Sequence, residues 1–377
     1  MIIPELPDFL RNMGGEEHIG LIIAIFTLSA MLSRPFSGKM ADNMGRRSVM
    51  MIGVIVSAVC CLIYPFFTTI FAFFILRFFH GFSTGFHPTG VAAYLADIVP
   101  SQRRGEAMGI LGVSHSSGMA IGPVIGSGVA NQFSIDVMFY CSTFVSILAL
   151  LAIFRLKETL TDPQPFTPKM LLINKHEIIE PKVLIPSLVM LLCVYPFGLM
   201  LTVIPDMSIH LGVMNKGIFM SVVLVFSLVV RLVAGRASDK FGRINTILVG
   251  TVFLIVSMVM VGASTTSSMF LTSAGIYGIA IGIISPTIFA WVADDAIEEH
   301  RGRAMSTMFI GLEIGIMLGA ACSGYLYGNV VSRFPLVFLM AAFVALLALV
   351  FLIALQYQKI EINELKRSYT EDIHHLK

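Results

Sequence analysis

Gly38-Lys39-Met40-Ala41-Asp42-Asn43-Met44-Gly45-Arg46-Arg47 returns 197 residues later as Gly235-Arg236-Ala237-Ser238-Asp239-Lys240-Phe241-Gly242-Arg243-Ile244. An arginine stands four residues before each copy, Arg34 and Arg231. Both copies interrupt long apolar stretches. The repeat is therefore one of apolar helices joined by charged loops, the pattern of a duplicated membrane protein.

Composition agrees. Of 377 residues, 56% are hydrophobic and 13% charged, against about 25% charged in a soluble globular chain. The apolar residues gather in blocks of about 20, the length a helix needs to cross a bilayer core of about 30 Å. No ten-residue alternation suggests a barrel, so an all-α membrane protein is expected. Cys60, Cys61, Cys141, Cys193 and Cys322 all fall inside apolar blocks without metal-ligand spacing, and read as buried free thiols.

The blocks predict eleven full spans: 19–38, 49–67, 70–96, 106–129, 136–155, 183–205, 217–237, 244–263, 268–293, 304–328 and 334–355. Of the 25 lysines and arginines, alternate loops hold nineteen, the opposite loops hold three (Arg11, Lys216 and Arg333), and Arg34, Arg77 and Arg231 lie within spans. That asymmetry places the motif loops, the central loop and the C-terminus in the cytoplasm. It also puts Met1 outside. Leu201-Thr202-Val203-Ile204-Pro205-Asp206 resembles Pro4-Glu5-Leu6-Pro7-Asp8 at an offset of 198, so Met1–Phe9 reads as the outer end of a first helix that is otherwise missing from this sequence.

The 197-residue offset recurs beyond the motif. Gly81 and Gly85 match Gly278 and Gly282, Asp97 and Gly105 match Asp294 and Gly302, and Gly118 and Gly122 match Gly315 and Gly319. Four domains of sequence follow: an N-terminal bundle over 1–155, a linker over 156–182, a C-terminal bundle over 183–355 and a charged tail over 356–377. Pro163, Pro165 and Pro168 break any long helix in the linker.

Two six-helix halves with Gly-x-x-x-Asp-x-x-Gly-Arg in the loop after the block 19–38 resemble the major facilitator superfamily. The resemblance covers the whole chain apart from the first helix, and implies the major facilitator fold of two pseudo-symmetric bundles. It implies secondary transport by alternating access, with Asp42 capping the start of the block 304–328 and Arg46 pairing with Asp97. Gly38, Asp42, Gly45, Arg46, Arg47 and Asp97, with the second copy's Gly235, Asp239, Gly242 and Arg243, would then form a cytoplasmic gate. Gly118-x-x-x-Gly122-Pro123-x-x-Gly126 resembles the signature of members that exchange substrate for protons. The physical reading of that stretch is narrower: small residues allow close helix packing, and Pro123 bends the helix.

Arg77, His80, Thr84 and His87 fall within an arc of about 80° on one helix, a polar stripe on an apolar rod. An arginine at that depth costs on the order of 2.5–3.5 kcal/mol, so it needs a partner or a water-filled cavity. Glu313, near the counterpart of His115, is the one carboxylate well inside a clear span, and is a candidate proton carrier. Glu5 and Asp8 are rivals, and Asp206, Asp294 and Asp295 sit at the edges. By the family resemblance, Arg77, His80, Thr84, Tyr195 and Tyr277 would line a central substrate site, with His87, His115 and Glu313 completing the substrate and proton pathway.

These readings point to proton-coupled efflux of a small organic molecule across a bacterial cytoplasmic membrane, by a monomer whose partners are substrate, protons and lipid, with no cofactor, metal or nucleic acid. Proton-coupled uptake of a sugar, nucleoside or organic acid is the alternative within transport; a non-transporting sensor or inactive fragment is the alternative outside it. No P-loop lysine supports direct ATP drive. Ser114-His115-Ser116-Ser117 lacks the converging acid and oxyanion hole of a hydrolase, so no enzyme is expected.

Overall fold

The computed structural model describes residues 1–2, 5–15, 19–213, 217–328 and 330–375, and all their regular elements are helical. Pro4, Lys216 and Lys377, used in the arguments above, lie outside the described residues. The helices are α1 (Leu6–Arg11), α2 (Ile19–Met44), α3 (Arg46–Ile63), α4 (Ile70–Ile98), α5 (Arg104–Gln132), α6 (Ile135–Phe154), α7 (Lys175–Ile178), α8 (Leu184–His210), α9 (Ile218–Phe241), α10 (Arg243–Gly262), α11 (Ser267–Asp295), α12 (Arg301–Tyr327) and α13 (Phe334–His375).

Each of the eleven apolar blocks matches one long helix to within a residue beyond its ends, except 49–67, which runs past α3 into a 3-10 turn at Tyr64–Phe66. Among the described residues, eight helices are long and apolar enough to cross a membrane, and a ninth if Ile218–Arg231 and Val233–Phe241, bent by 47°, count as one span. Of the long helices, α2, α4 and the bent α9 are outside the eight; they carry Arg34, Arg77 and Arg231.

The chain forms two compact units, Met1–Leu188 with Phe289–Ile314, and Val189–Ile288 with Gly315–Lys377. In the first unit, α1 buries Leu6 and Leu10 completely beside an aromatic cluster. Tyr64 stacks on Phe139 at 4.9 Å, and Phe9 meets Phe139 edge-on at 5.2 Å. Helix α4 lies close against α2, with only the small side chains of Ser29 and Ser33 beside its glycines. A Cβ at Gly81 would come within 2.4 Å of the Phe26 carbonyl oxygen, and one at Gly85 within 2.9 Å of that of Ala30. The second unit repeats the arrangement with α11 on α9: a Cβ at Gly278 would meet the Val223 carbonyl oxygen at 2.5 Å, and one at Gly282 that of Ser227 at 3.0 Å. Close backbone approach by small residues is the common way to pack helices in lipid, where apolar side chains gain little by avoiding their surroundings.

Helix ends follow local chemistry. Thr69 caps α4 by accepting the Ala72 amide, and Ser134 caps α6 by accepting that of Val137. The turns from α2 to α3 and from α9 to α10 pivot on Gly45 (φ 108°) and Gly242 (φ 88°), a region that L side chains avoid. Between α6 and α8 the linker forms only the four-residue α7 and two short 3-10 turns, Pro168–Leu171 and Pro181–Val183. Of the five cysteines, Cys60, Cys61 and Cys193 are buried and Cys141 is half-buried, but Cys322 is exposed. An apolar thiol tolerates a lipid-facing surface as readily as a core.

Candidate functional site

The first motif copy builds a compact charge cluster within the first unit. Asp42, on the last turn of α2, accepts the amide of Gly302 at 2.6 Å and that of Arg303 at 2.8 Å. These are unpaired donors of the first turn of α12, so the carboxylate caps that helix from outside and meets its positive end. Gly38 permits the approach, since a Cβ there would sit 3.0 Å from the Arg303 Cα. Arg46 is 1% exposed; it donates to Asp42 at 3.0 Å, to Asp97 at 3.1 Å and to the Glu298 carbonyl at 2.9 Å. Beyond the predicted end of the span, burial pushes the Asp42 carboxyl up to about 7 despite Arg46 and the two amides. The second copy holds the same internal pair, Arg243 to Asp239 at 2.6 Å.

Three parts of this cluster were not read from the sequence. Arg301 donates to Asp97 at 2.6 Å, and Arg104 donates to Asp294 at 3.0 Å. Arg104 and Arg301, like Asp97 and Asp294, are 197 residues apart. Each repeat's arginine thus reaches the other repeat's aspartate, and the offset was the signal that could have revealed it. Secondly, the linker supplies carboxylates. Glu158 accepts the Arg46 and Arg47 amides at 2.9 and 3.1 Å, capping α3. Glu180, 3% exposed, takes Arg303 at 2.6 Å, and Glu177 takes Lys39 at 2.8 Å, a bond that holds the Glu177 carboxyl below its usual range. No periodicity or motif marks Glu158 and Glu180, whereas Asn174-x-x-Glu177 has the spacing of a helix capping box. Thirdly, Arg34 binds Glu313 by Nη2 at 2.8 Å and by Nε at 3.1 Å. Arg47 lies at the rim, donating to the Phe154 carbonyl at 2.8 Å.

Farther along α4, Arg77, His80 and Thr84 line a cavity of about 300 Å³ inside the first unit. Ser57, Ser83, Ser142 and Ser146 supply hydroxyls to the same wall, with Phe26, Cys61, Met1 and Ile2 beside them. The Arg77 guanidinium lies 4.3 Å from the Phe26 ring centroid, and its Nε donates to the Ile22 carbonyl at 3.3 Å. His80 sits 3.3 Å from the Tyr64 hydroxyl and 3.4 Å from that of Ser57. Among the described residues the cavity thus sets the buried Arg77 guanidinium, the His80 ring and several hydroxyls beside an apolar wall of Ile2, Phe26 and Val145, suited to a small molecule with both polar and apolar parts.

The other predicted residues are dispersed. His87 packs its backbone on Gly53, where a Cβ would meet the His87 nitrogen at 2.5 Å, and does not line the cavity. His115 is exposed on α5. Within the α5 motif, Gly122 and Gly126 lie against the Met1 backbone, whereas Gly118 has open space around it. Pro123 lies inside an α5 that continues to Gln132. Tyr195 and Tyr277 are buried in the second unit, with the Tyr277 hydroxyl unpartnered among the described residues. No group of histidine, cysteine and acidic side chains capable of holding a metal occurs among the described residues.

Comparison with known proteins fits this architecture. Multidrug resistance protein 2 of Bacillus subtilis is 27% identical over 366 residues, covering 93% of this chain and 89% of that protein. Quinolone resistance protein NorA of Staphylococcus aureus is 31% identical over 191 residues, 49% of each chain. The solved structure of the proton:xylose symporter XylE superimposes with a TM-score of 0.78 at 14% identity, over 94% of this chain and 91% of that one. The family model of the Major Facilitator Superfamily matches residues 1–261 and, again, 187–371. The chain belongs to the major facilitator superfamily, and is an integral multi-pass membrane transporter rather than an enzyme.

Proposed function

We propose that this transporter exports a small organic molecule in exchange for protons, by alternating access, from a bacterial cytoplasmic membrane. In this reading the halves are 1–155 and 183–355, the motif side and the C-terminus face the cytoplasm, and the protein works as a monomer. The observation that carries it is the reciprocal pair Arg301–Asp97 and Arg104–Asp294. A gate must close and reopen; Arg104–Asp294 is partly exposed and can exchange for water at modest cost, whereas Arg301–Asp97 is nearly buried and holds more firmly. Asp42 on the α12 terminus and Arg46 on Asp97 reinforce that closure, while Arg77, His80 and Thr84 offer the substrate a polar wall.

Direction rests on the names of the relatives, which are drug and quinolone resistance proteins. The fold is shared with a proton:xylose symporter, so architecture alone supports uptake equally well. The test is the direction of proton flow. Everted vesicles energised to an acid lumen should lose part of that acidity on addition of ethidium or a quinolone. Alkalinisation of the medium around intact cells on addition of a sugar or an organic acid would establish uptake instead.

A further inference from the structure

We propose that Arg34 and Glu313 form the proton-coupling pair: a proton taken up on Glu313 releases α12 from α2 and frees the motif side to open. This deepens the reading of proton-coupled transport and rests on it.

The pair is buried and inter-repeat. Side chains of Arg34 and Glu313 are 3% and 7% exposed, on helices 279 residues apart in sequence and drawn from different repeats. Arg34 is the better satisfied partner. Its Nη1 donates to the Gly85 carbonyl at 3.2 Å and to the Thr89 hydroxyl at 3.1 Å, and its guanidinium lies 4.1 Å from the Phe309 ring centroid. Glu313 accepts both its bonds on Oε1, and Oε2 is buried with no hydrogen-bond partner among the described residues. A carboxylate held this way is short of donors on one oxygen, which is where a proton would settle. Once it is neutral, Arg34 keeps its α4 contacts and loses its anionic partner among the described residues, so the tie between α2 and α12 weakens while α2 stays on α4.

The fold itself does not demand the pair. At the repeat-related positions Arg34 becomes Arg231 and Glu313 becomes Ser116. Arg231 donates to Ser227 on its own helix at 3.0 Å, so a repeat-related arginine is accommodated with a hydroxyl. Only one of the two equivalent places carries a carboxylate, which is the asymmetry expected of a coupling site rather than of scaffolding. The pair also sits about 12 Å along α2 from the Asp42 cap, on the two helices that the cap joins.

Arg34 from α2 is the charged group acting on Glu313 among the described residues. From α4 come Gly85 and Thr89, and from the start of α8 comes Ser187 beside Gly311; none of these titrates in the working range. Arg301 and Arg303, at the start of α12, are engaged by Asp97 and Glu180. Asp42, at the far end of the tie, titrates near neutrality. His300, 2.7 Å from Arg303 and 3.4 Å from Glu180, is a second titratable group there. Both are competing sources of pH dependence, which is why the test is run at fixed pH.

The test uses the full chain in lipid nanodiscs and follows hydrogen exchange at the Gly302 and Arg303 amides at fixed pH near neutrality. Glu313→Gln mimics the protonated acid, and should raise exchange there about tenfold while Asp42 remains in place. Asp42→Asn isolates the competing contribution of that carboxyl. In proteoliposomes with ethidium, Glu313→Gln should keep downhill exchange and lose proton-driven uphill movement, whereas a merely structural role would depress both. Glu313→Asp, which keeps the acid, should restore uphill movement at least partly; its failure to do so, with folding intact by thermal unfolding, counts against the pair. Wild-type exchange in Glu313→Gln, or uphill transport unaltered by it, overturns the inference while leaving proton coupling elsewhere in the chain. Loosened amides in a protein that moves no proton with any probe would retain the pair as a protonation-sensitive tie and remove the efflux reading instead.

Discussion

Arg46 shows how much one side chain can hold. Its fork reaches Asp42, Asp97 and two backbone carbonyls, of Ala41 and Glu298, and almost none of it is open to solvent. A lysine carries the charge but not the planar set of donors. Arg46→Lys should therefore destabilise the protein by about 2–4 kcal/mol, read as a lowered unfolding midpoint in detergent. Asp42 adds a pH dependence whose sign follows from its carboxyl being raised to about 7. The folded chain then binds this proton more tightly than the unfolded chain, whose carboxyl titrates near 3.8. The stability it contributes is present at the acid end of that window and is lost as pH rises through about 7. Wild-type midpoints should decline over that interval, and Asp42→Asn should flatten the decline. A wild-type slope retained in the variant would assign the effect to another group. Asp42 and Arg46 were legible because they sit in a spaced motif, and Asp97 because the 197-residue repeat and the family resemblance pointed to it. Arg34 and Glu313 were not legible as partners, since nothing local records a contact 279 residues away.

Helices were the most legible level, because twenty apolar residues in a row have few other fates. Their ends were less so. The block 19–38 proved to be α2 reaching Met44, and the block 334–355 proved to be α13 reaching His375. Hydropathy registers the part of a helix that lies in lipid, whereas hydrogen bonding continues through polar turns beyond it. The glycines divide the same way. Gly81 and Gly278 touch a neighbouring backbone, while Gly118 touches nothing, although all three sit in repeats that look alike on paper. Gly81→Val should force α4 from α2 and lower the unfolding midpoint clearly, by on the order of 1–3 kcal/mol. Gly118→Ala should be silent in the same measurement. Equal effects from the two would mean that the repeat, rather than the contact, governs packing. The linker was the opposite case: its prolines predicted irregular chain, but not that Glu158, Glu177 and Glu180 would be delivered to the charge cluster.

At the scale of the molecule, duplication explains why the charge cluster takes the form it does. Two copies of one loop, each with an arginine at the start of a helix and an aspartate at the end of the previous one, can meet by exchanging partners. The pairs Arg104–Asp294 and Arg301–Asp97 are that exchange. The two are unequal, because Asp97 also accepts from Arg46 and from the Thr159 hydroxyl at 2.7 Å. One repeat's pair has been enlarged into a hub, while the other keeps a simpler form on more exposed side chains. Loss of the simpler pair should consequently loosen the cluster without unfolding it. Arg104→Asp alone places two like charges together and should speed hydrogen exchange through the first turn of α5, with a cost of about 1 kcal/mol, the scale of a partly exposed pair. Combining it with Asp294→Arg restores opposite charges at the same place in reversed order, and exchange should return at least halfway to wild type. Coupling of that kind in the double variant would establish that the pairing, and not the identity of either residue, closes this side. Simple additivity of the two substitutions would show instead that each residue is held by its own repeat, and that the reciprocal geometry contributes nothing to closure.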